Sequence, residues 1–468
     1  MLGAKTTKRN LVTLTDSYKA SHYLQYPPDT DAVYSYFEAR VGARFPETVF
    51  FGLQYLLDEY LYGPVISLAD VQEARELYAA HISGLPFNSV GWAQIIGAHG
   101  GRLPVSIKAV PEGTVVPVGN VLLTIENTDP RCAWLTNYLE TLLVQLWYGC
   151  TVATQSRAMR KIILQSLEWT GDPSLIDFKL HDFGFRGVSS VESAGIGGAA
   201  HLVNFNGTDT VRGIEIARKY YGEPMAGFSI PAAEHSTITA WGKEGEAYAF
   251  ANMLDQFPTG MVAVVSDSYD LMHAVRQTWG KDLRDRVLAR DGVLVVRPDS
   301  GDPPTTVVKV LNALGDAFGY ERNDKYFKVL NPKVRVIQGD GIDIDMLDRV
   351  LDHMQDTGWS ADNVAFGSGG GLLQKLHRDV QRFAMKCSAI RQGGVWKPVS
   401  KSPVTDPSKA SKAGRLSLIR THDGGWATVS QENRDRVNTA PDQLVEVFRD
   451  GAVLQRTTFA EVRARARA

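Results

Sequence analysis

The stretch Lys179-Leu-His-Asp-Phe-Gly-Phe-Arg-Gly-Val-Ser-Ser190 opens the part of the sequence that decides the fold. A short apolar run, Phe178–Leu180, leads into a loop that is dense in polar, aromatic and glycine residues. A core strand would not tolerate so many polar groups, because each buried one needs a partner. The loop is therefore a polar turn or a binding loop, and ring faces beside an arginine suit a planar ligand that carries phosphate.

The same arrangement of an apolar run, a polar loop and a helical pattern recurs along the chain. The spacing is about 25 to 40 residues, the length of a strand plus a crossover helix. Such units predict parallel strands covered by helices. The apolar runs are Phe178–Leu180, Leu202–Phe205, Gly227–Ile230, Met261–Val265, Val293–Val296, Val334–Ile337 and Val364–Phe366.

Functional-looking residues follow every one of these predicted strands. An open sheet concentrates its site at one switch point, whereas a barrel gathers all of its loops around one mouth. The sequence therefore predicts an α/β fold built on an irregular, TIM-like α/β barrel. The loops are His181–Arg186, Asn206–Asp209, Pro231–His235, Ser266–Asp270, Arg297–Asp302, Gln338–Gly341 and Gly367–Gly371.

The remainder of the chain predicts a second, smaller α+β domain. Helical periodicity from Phe50 to Ile96 gives way to short strands between Leu103 and Ile125, and it returns from Ala133 to Trp169. We expect an N-terminal α+β domain over residues 1–172 and the barrel over residues 173–380. Residues 381–468, which include the strand-like segments Trp426–Val429 and Leu444–Phe448, should pack back on the N-terminal domain.

Composition narrows the class of protein. The 468 residues are 44% hydrophobic and 22% charged, and the formal net charge of -2 argues against general nucleic-acid binding. No apolar run of about 20 residues occurs, and Met1–Asn10 lacks a signal core, so a soluble cytoplasmic protein without a membrane partner is expected. The scattered Cys132, Cys150 and Cys387 predict reduced core residues, with neither a disulfide nor a metal site.

Two glycine-rich stretches allow different interpretations. In Gly367-Ser-Gly-Gly-Gly-Leu-Leu-Gln-Lys375, glycines between a strand and a helix can present backbone N–H groups to a phosphate. The alternative is a tight turn, but a single turn rarely needs four glycines. Ala194–Ala200 lacks the full dinucleotide-binding spacing, so we interpret it as close helix packing.

The loops also contain candidates for phosphate and proton chemistry. His235, next to Glu234, could accept a proton or a phosphoryl group while the carboxylate orients its ring; the alternative is a surface histidine. Arg297 with Asp299 and Asp340 suits a phosphorylated sugar, with carboxylates for Mg²⁺ or for hydroxyls. A basic stretch that includes Lys386, Lys397, Lys401, Lys409, Lys412 and Arg415 could be a solvated loop or an anion-binding segment.

These motifs, taken together, resemble the nicotinamide phosphoribosyltransferase family. The resemblance runs from about residue 10 to residue 450. It implies transfer of phosphoribose from phosphoribosyl pyrophosphate to nicotinamide, the type II phosphoribosyltransferase fold, and a homodimer with active sites at the interface. The motifs are Thr15–Lys19, Gln25–Pro28, His181–Ser190, Pro231–Trp241, Val265–Asp270, Arg297–Gly301, Val336–Gly341, Phe366–Lys375 and Lys409–Leu418.

The resemblance also implies roles for individual residues. Phe183 would stack on nicotinamide, opposite Tyr18 of the partner subunit, with Arg186 beside the ring and phosphates and Asp209 accepting from the carboxamide. His235 would be phosphorylated by ATP, the activating co-substrate, with Glu234 beside it. The donor and its Mg²⁺, bound mainly through pyrophosphate and not by a dedicated protein site, would contact Ser266, Arg297, Asp299, Gly339, Asp340, Gly369 and Gly370. Positive charge would come from Arg40, Arg378, Lys386, Lys401 and Lys409.

One position departs from the family pattern, and two other functions remain open. Phe185 stands where a tyrosine is usual, so any tuning of the neighbouring carboxylate by that hydroxyl is lost. A nicotinate phosphoribosyltransferase shares fold and donor, but Asp209 would repel a carboxylate substrate. A non-catalytic binding protein on this fold should have lost charged loop residues, and here they are present.

Overall fold

The computed structural model describes residues 9–405, 409–437 and 440–467. Residues 1–8, most of the segment judged to lack a signal core, lie outside that range. By its contacts the chain divides into two units. Unit 1 comprises Met1–Thr151, Tyr220–Gly222 and His377–Ala468, and unit 2 comprises Val152–Lys219 and Glu223–Leu376. The chain first passes between them within a helix; the domain limits given above stay predictions.

The strands and helices are numbered in chain order. The strands are β1 (Thr30–Glu38), β2 (Glu47–Val49), β3 (Val105–Ala109), β4 (Val115–Pro117), β5 (Val121–Asn127), β6 (Leu180–Asp182), β7 (Gly207–Thr208), β8 (Thr259–Val265), β9 (Asp291–Arg297), β10 (Tyr320–Arg322), β11 (Lys328–Leu330), β12 (Val334–Gln338), β13 (Val364–Ser368), β14 (Ala384–Gln392), β15 (Val395–Pro398), β16 (Leu416–Arg420), β17 (Trp426–Ser430), β18 (Val445–Arg449) and β19 (Ala452–Val453). The helices are α1 (Leu53–Leu56), α2 (Leu68–His81), α3 (Ser89–His99), α4 (Leu135–Tyr138), α5 (Glu140–Val144), α6 (Leu146–Thr170), α7 (Val191–Leu202), α8 (Val211–Tyr221), α9 (His235–Thr239), α10 (Glu246–Gln256), α11 (Leu271–His273), α12 (Arg284–Ala289), α13 (Pro303–Phe318), α14 (Ile344–Asp356), α15 (Gly370–Leu373), α16 (Gln431–Val437) and α17 (Phe459–Arg467).

Unit 2 is organised around a parallel sheet with the strand order β7-β6-β13-β12-β9-β8. Each neighbouring pair in this sheet is parallel. The prediction of parallel strands alternating with helices is therefore confirmed. Four of the predicted runs, from Met261–Val265 to Val364–Phe366, lie within β8, β9, β12 and β13. Because the strands are parallel, their carboxyl ends meet at one edge of the sheet.

Two of the predicted strands are wrong. Leu202–Phe205 continues the buried face of α7 into its last turn, where Phe205 N donates to His201 O at 3.3 Å, and β7 starts only at Gly207. A short apolar run does not distinguish a buried helix end from a strand, which explains the error. Gly227–Ile230 forms no strand. The first run is shifted by two residues, since β6 spans Leu180–Asp182.

The segment 226–233, although not a strand, hydrogen-bonds to both edges of the sheet. On the β7 side, Phe228 N donates to Asn206 O at 2.8 Å and Thr208 N donates to Phe228 O at 3.0 Å. On the β8 side, Ala263 N donates to Pro231 O at 2.9 Å. The two edge strands thus share one bridging segment, and their exposed hydrogen-bonding groups are satisfied there.

One layer of the core lies beneath the carboxyl ends of these strands. Ala263, Val295 and Ile337, from β8, β9 and β12, are buried together. The partly buried Phe183 and Ile230 pack against this layer. The packing fixes the floor of the strand-end region, because a close-packed layer of side chains resists displacement.

Unit 1 is built on an antiparallel sheet with the order β15-β14-β1-β5-β3-β18-β19. β1 pairs with β14, and β3 pairs with β18, so C-terminal strands complete a sheet begun by N-terminal ones. The predicted strands Trp426–Val429 and Leu444–Phe448 correspond to β17 and β18. Among the described helices of the whole chain, none is long and apolar enough to cross a membrane.

The Ala194–Ala200 stretch lies inside α7 and packs closely against α8. A Cβ atom added at Gly213 would lie 2.7 Å from the Gly198 carbonyl carbon, which no real Cβ contact allows. A Cβ at Gly198 would lie 3.1 Å from the Gly213 Cα. The glycines therefore serve helix packing, as the sequence interpretation stated.

Gly213→Ala should destabilise the protein by about 1–3 kcal/mol, because the added methyl group forces two helix backbones apart. Gly97→Ala is the matched control, since Gly97 is also helical but has open space where a Cβ would stand. That change should stabilise by about 0.5–1 kcal/mol. Chemical denaturation of both variants measures the difference, and the same sign for both would contradict the packing role.

Candidate active site

The carboxyl ends of the parallel strands carry the predicted residues of unit 2. Phe183 and Arg186 follow β6, and Asp209 follows β7. Glu234 and His235 stand at the start of α9, which follows the bridging segment. The others lie at or just beyond the ends of β8, β9, β12 and β13: Ser266, Arg297, Asp299, Gly339, Asp340, Gly369 and Gly370. All of these residues thus lie at or near the carboxyl ends of the parallel strands.

The Phe183 ring occupies space that two glycines leave open. A Cβ at Gly367 would lie 2.0 Å from Phe183 Cε2, and one at Gly339 would lie 3.3 Å away. Phe183 N donates to Ser368 O at 3.0 Å, which extends the pairing of β6 with β13 by one residue. The Arg297 guanidinium carbon lies 5.6 Å from the ring centroid. The ring is fixed from the sheet side and bears a nearby positive charge, which its electron-rich face attracts.

Asp182, the residue before Phe183, carries a buried carboxyl group. Its Oδ1 accepts a hydrogen bond from Gly184 N at 2.7 Å, and its backbone oxygen accepts one from Asp209 N at 2.9 Å. Burial raises the pKa of Asp182 to about 6, and the charge of Asp209 adds to the rise. One residue therefore links the loop that carries Phe183 to the loop that carries Asp209.

His235 lies between two carboxylates at the strand ends. Its Nε2 lies 3.0 Å from Asp267 Oδ1, and its Nδ1 lies 3.9 Å from Asp299 Oδ2. Asp299 is in turn held by Arg297, whose Nη2 donates to both carboxylate oxygens at 2.9 Å. The histidine side chain is 47% exposed, so solvent and ligands reach it. An imidazole that donates from one nitrogen to a carboxylate keeps the other available as a nucleophile.

The expectation that Glu234 orients the His235 ring is wrong. Glu234 accepts a hydrogen bond from the hydroxyl of Ser236, within its own turn. Asp267 orients the ring instead, from the end of β8. Adjacency in sequence does not identify the partner here, because a parallel sheet brings together residues from the ends of different strands. The signal in the sequence is the position of Asp267 in the polar loop Ser266–Asp270, which follows the apolar run Met261–Val265.

Ser266 faces the interior. Its hydroxyl donates to Val264 O at 3.0 Å and accepts from Trp279 Nε1 at 3.1 Å. Ser266 is fully buried, so in this structure its hydroxyl supports the packing of Trp279. Contact between Ser266 and a substrate stays a prediction.

The glycines after β13 serve two purposes. A Cβ at Gly371 would lie 2.5 Å from Ile342 O, so this position requires glycine for a close approach of two chain segments. A Cβ at Gly370 would meet nothing within 4 Å. Tight packing thus accounts for Gly367 and Gly371 but not for Gly370, which leaves the phosphate hypothesis standing for that part of the loop.

The other predicted residues belong to unit 1. Tyr18 lies in the helical turn Ser17–Leu24 and is 59% exposed, which leaves its ring accessible. Burial lowers the pKa of Lys386, Glu140 opposes that change, and the charges of Arg40, Lys401 and Arg378 lower the pKa further. These four cations therefore lie close enough to feel one another, as the sites of a multiply charged anion do. Lys409 is exposed.

A further cation, Lys412, is held near Arg40 by a shared carboxylate. The Glu38 side chain, 4% exposed, accepts a hydrogen bond from Lys412 Nζ and lies 3.8 Å from Arg40 Nε. Lys412 N also donates to Tyr36 OH at 2.9 Å. These bonds tie part of the basic segment to β1. No group of three or more His, Cys, Asp or Glu side chains that could hold a metal ion occurs in residues 9–405, 409–437 and 440–467.

Comparison with known proteins identifies similar sequences. The model of the nicotinate phosphoribosyltransferase (NAPRTase) family matches residues 178–452, and that of the N-terminal domain of nicotinamide phosphoribosyltransferase matches residues 10–107. A nicotinamide phosphoribosyltransferase of Xanthomonas campestris pv. campestris is 52% identical over 463 residues, 98% of each chain. One of Acinetobacter baylyi is 30% identical over 97% of each chain.

Two solved structures share the fold. Nicotinate-nucleotide pyrophosphorylase from Pyrococcus furiosus has a TM-score of 0.62 and 16% identity, with coverage of 100% of this chain and 96% of that one. Human nicotinic acid phosphoribosyltransferase has a TM-score of 0.56 and 19% identity, with coverage of 97% and 93%. At these identities the likeness concerns the fold alone.

The buried Asp182 predicts a measurable pH dependence. Its folded pKa of about 6 lies above its ordinary value of 3.8. Between those values the folded protein binds more protons than the unfolded one, so this residue's contribution to the free energy of unfolding falls as pH rises. The Asp182→Asn variant has no carboxyl group at this position, so its free energy of unfolding does not show this fall. Its stability relative to the wild type should therefore improve by up to about 3 kcal/mol between pH 4 and pH 7.5.

Urea denaturation at several pH values measures this difference. Asp285→Asn is the control, because the Asp285 side chain is 99% exposed. A flat profile for Asp182→Asn would show that the Asp182 carboxyl is not held in a desolvated site.

Proposed function

The chain belongs to the family of nicotinate and nicotinamide phosphoribosyltransferases, and from that premise we propose that it transfers phosphoribose from phosphoribosyl pyrophosphate to nicotinamide. The products are nicotinamide mononucleotide and pyrophosphate, a step of NAD salvage. The observation that carries the choice of base is Asp209, whose side chain is exposed and whose backbone N–H donates to the backbone oxygen of Asp182, the residue before Phe183. A carboxylate accepts from an amide N–H and repels the carboxylate of nicotinate.

In this proposal the residues of unit 2 divide the reaction between them. Phe183 stacks on the pyridine ring, and Arg186 lies beside ring and phosphates. Departure of pyrophosphate leaves a cation-like ribose, so the enzyme has to stabilise charge rather than supply a strong base. Arg297 paired with Asp299 supports this interpretation, since a guanidinium fork binds phosphate oxygens in pairs. Gly339, Asp340, Gly369 and Gly370 complete the donor site, and Ser266 remains a proposed contact.

Mg²⁺ would be held mainly by the pyrophosphate oxygens and would neutralise their charge. This suits the described residues, which offer single carboxylates such as Asp299 and Asp340 and no dedicated cluster. Mg²⁺ commonly keeps several waters and few protein ligands in such sites.

ATP is proposed to phosphorylate His235 and thereby stimulate the reaction. Asp267 keeps the proton on Nε2, so the Nδ1 lone pair attacks the γ-phosphorus, the bond to ADP breaks, and ADP leaves as the second product. Arg40, Arg378, Lys386, Lys401 and Lys409 would bind the polyphosphates. Burial is the main cause of the lowered pKa of Lys386, and the further lowering by Arg40, Lys401 and Arg378 supports a cluster of like charges there.

The finer architecture is proposed as well. The bridging segment 226–233, bonded to both β7 and β8, supports an irregular α/β barrel, and the antiparallel sheet of N- and C-terminal strands supports a second domain. We propose a homodimer in which Tyr18 of the partner subunit covers the free face of the base. Exposure of Tyr18 in the single chain supports this arrangement. We place the enzyme in the cytoplasm.

A coupled assay tests the main proposal. Protein with phosphoribosyl pyrophosphate, Mg²⁺ and nicotinamide should release pyrophosphate, and nicotinate should be a poor substrate. Asp209→Asn should shift the ratio of kcat/KM values toward nicotinate by about 10- to 100-fold, because a hydrogen bond to a charged group contributes about 1.5–3 kcal/mol. No pyrophosphate with either base would refute the enzyme function, and an unchanged ratio would refute the role of Asp209.

The histidine proposal has a separate test. The ratio of rates with and without ATP should fall to one in His235→Ala, since the phosphoryl acceptor is gone. Asp267→Asn should lose most of the stimulation, because the ring is no longer held in one tautomer. Glu234→Gln, which alters only the partner of Ser236, is the matched comparison and should keep more stimulation than Asp267→Asn. The reverse order would restore Glu234 as the orienting carboxylate.

A further inference from the structure

Ser229 makes a side-chain contact with Asp209 that no sequence motif predicts. Its hydroxyl donates a hydrogen bond to Asp209 Oδ1. Both residues are exposed, and 20 positions separate them along the chain. The other acceptor within reach of the hydroxyl is Ile230 O at 3.5 Å, which is too long to compete. The serine therefore has one good partner, the carboxylate proposed to select the base.

Both ends of this hydrogen bond are anchored by the sheet. The backbone of Phe228, immediately before Ser229, exchanges hydrogen bonds with Asn206 and Thr208 at 2.8 and 3.0 Å. Asp209 N donates to Asp182 O at 2.9 Å. Because neither backbone can drift, the hydroxyl meets the carboxylate in one geometry. Preorganisation of this kind is what a short, exposed side chain otherwise lacks.

The contact has a defined chemical effect on Asp209. An exposed aspartate rotates about two side-chain bonds and samples several orientations in water. A donor that occupies Oδ1 stops that rotation and leaves Oδ2 as the acceptor for a ligand. Since an ionised carboxylate has no donor of its own, the second oxygen favours a ligand N–H and disfavours a ligand carboxylate.

We propose that Ser229 is a specificity-determining positioning residue: it holds Asp209 so that Oδ2 accepts from the carboxamide of nicotinamide. The proposal rests on the function proposed above for Asp209 and extends it to a residue that acts through another. It assigns to Ser229 no contact with the reacting atoms. The bridging segment thereby contributes to substrate choice in addition to joining two strands.

Ser229→Ala tests the proposal. The variant should lose about 10-fold in kcat/KM for nicotinamide, mostly through a higher KM, and the nicotinamide-to-nicotinate ratio should fall with it. The KM for phosphoribosyl pyrophosphate should stay constant. Ser229→Thr keeps the hydroxyl and should restore most of the ratio, whereas Ser229→Cys, with a weak donor, should fall between the two.

A double-mutant cycle separates this role from general structural support. In an Asp209→Asn background, Ser229→Ala should change the ratio little, since a residue acting through Asp209 has nothing left to position. Additive effects, an unchanged ratio in Ser229→Ala, or a raised KM for the donor would each overturn the inference. If Ser229→Ala proved unfolded by thermal denaturation, the Thr and Cys variants would decide. Failure of the wild type to release pyrophosphate with either base would instead refute the proposed function.

Discussion

The strand-end region of unit 2 depends on how the short strand β6 ends. Asp182, its last residue, accepts from Gly184 N through its side chain and from Asp209 N through its backbone. The hydrogen bond from Gly184 N to the Asp182 side chain stabilises the turn that places the Phe183 ring against the sheet. The hydrogen bond from Asp209 N to the Asp182 backbone fixes the start of the loop that carries Asp209. A buried carboxyl group in this place is costly, and burial raises its pKa to about 6. Costly buried groups of this kind are found where the fold holds a functional site in place.

The glycines around the Phe183 ring differ in whether packing requires them. Phe183 fits against the sheet because Gly367 has no side chain, and a Cβ there would lie within 2.0 Å of the ring. Three residues on, the chain needs no such clearance at Gly370. A glycine-rich loop can thus be partly a packing device and partly open to ligand, and the two kinds of glycine can be told apart only by the neighbours of each Cβ position. The sequence alone does not distinguish the four glycines of this loop.

Much of the fold followed from the sequence because its signal is local. Apolar runs with polar loops located β8, β9, β12 and β13 within two residues, since strands buried on both faces are continuous apolar runs. The signal failed where burial continued past a helix end, at Leu202–Phe205. It also failed for partners. No sequence motif predicts that His235 pairs with Asp267 or that Ser229 pairs with Asp209. Parallel crossovers bring together residues that are about 20 to 40 positions apart in the chain.

Electrostatics explains why the base and the phosphates call for different surroundings. Asp182 and Asp209 give the ends of β6 and β7 a negative character. Burial is the main cause of the raised pKa of Asp182, and the charge of Asp209 adds to it, so a further negative charge is disfavoured there. A neutral amide loses little in such a place, whereas an acid of the same shape meets repulsion. Rejection of this kind needs no extra contact with the preferred ligand. Polyphosphates need the opposite, and unit 1 gathers Arg40, Lys386 and Lys401 although the whole chain carries a formal charge of only -2. The near-neutral total therefore conceals a cluster of positive charge in unit 1 and a pair of acidic side chains at the ends of β6 and β7.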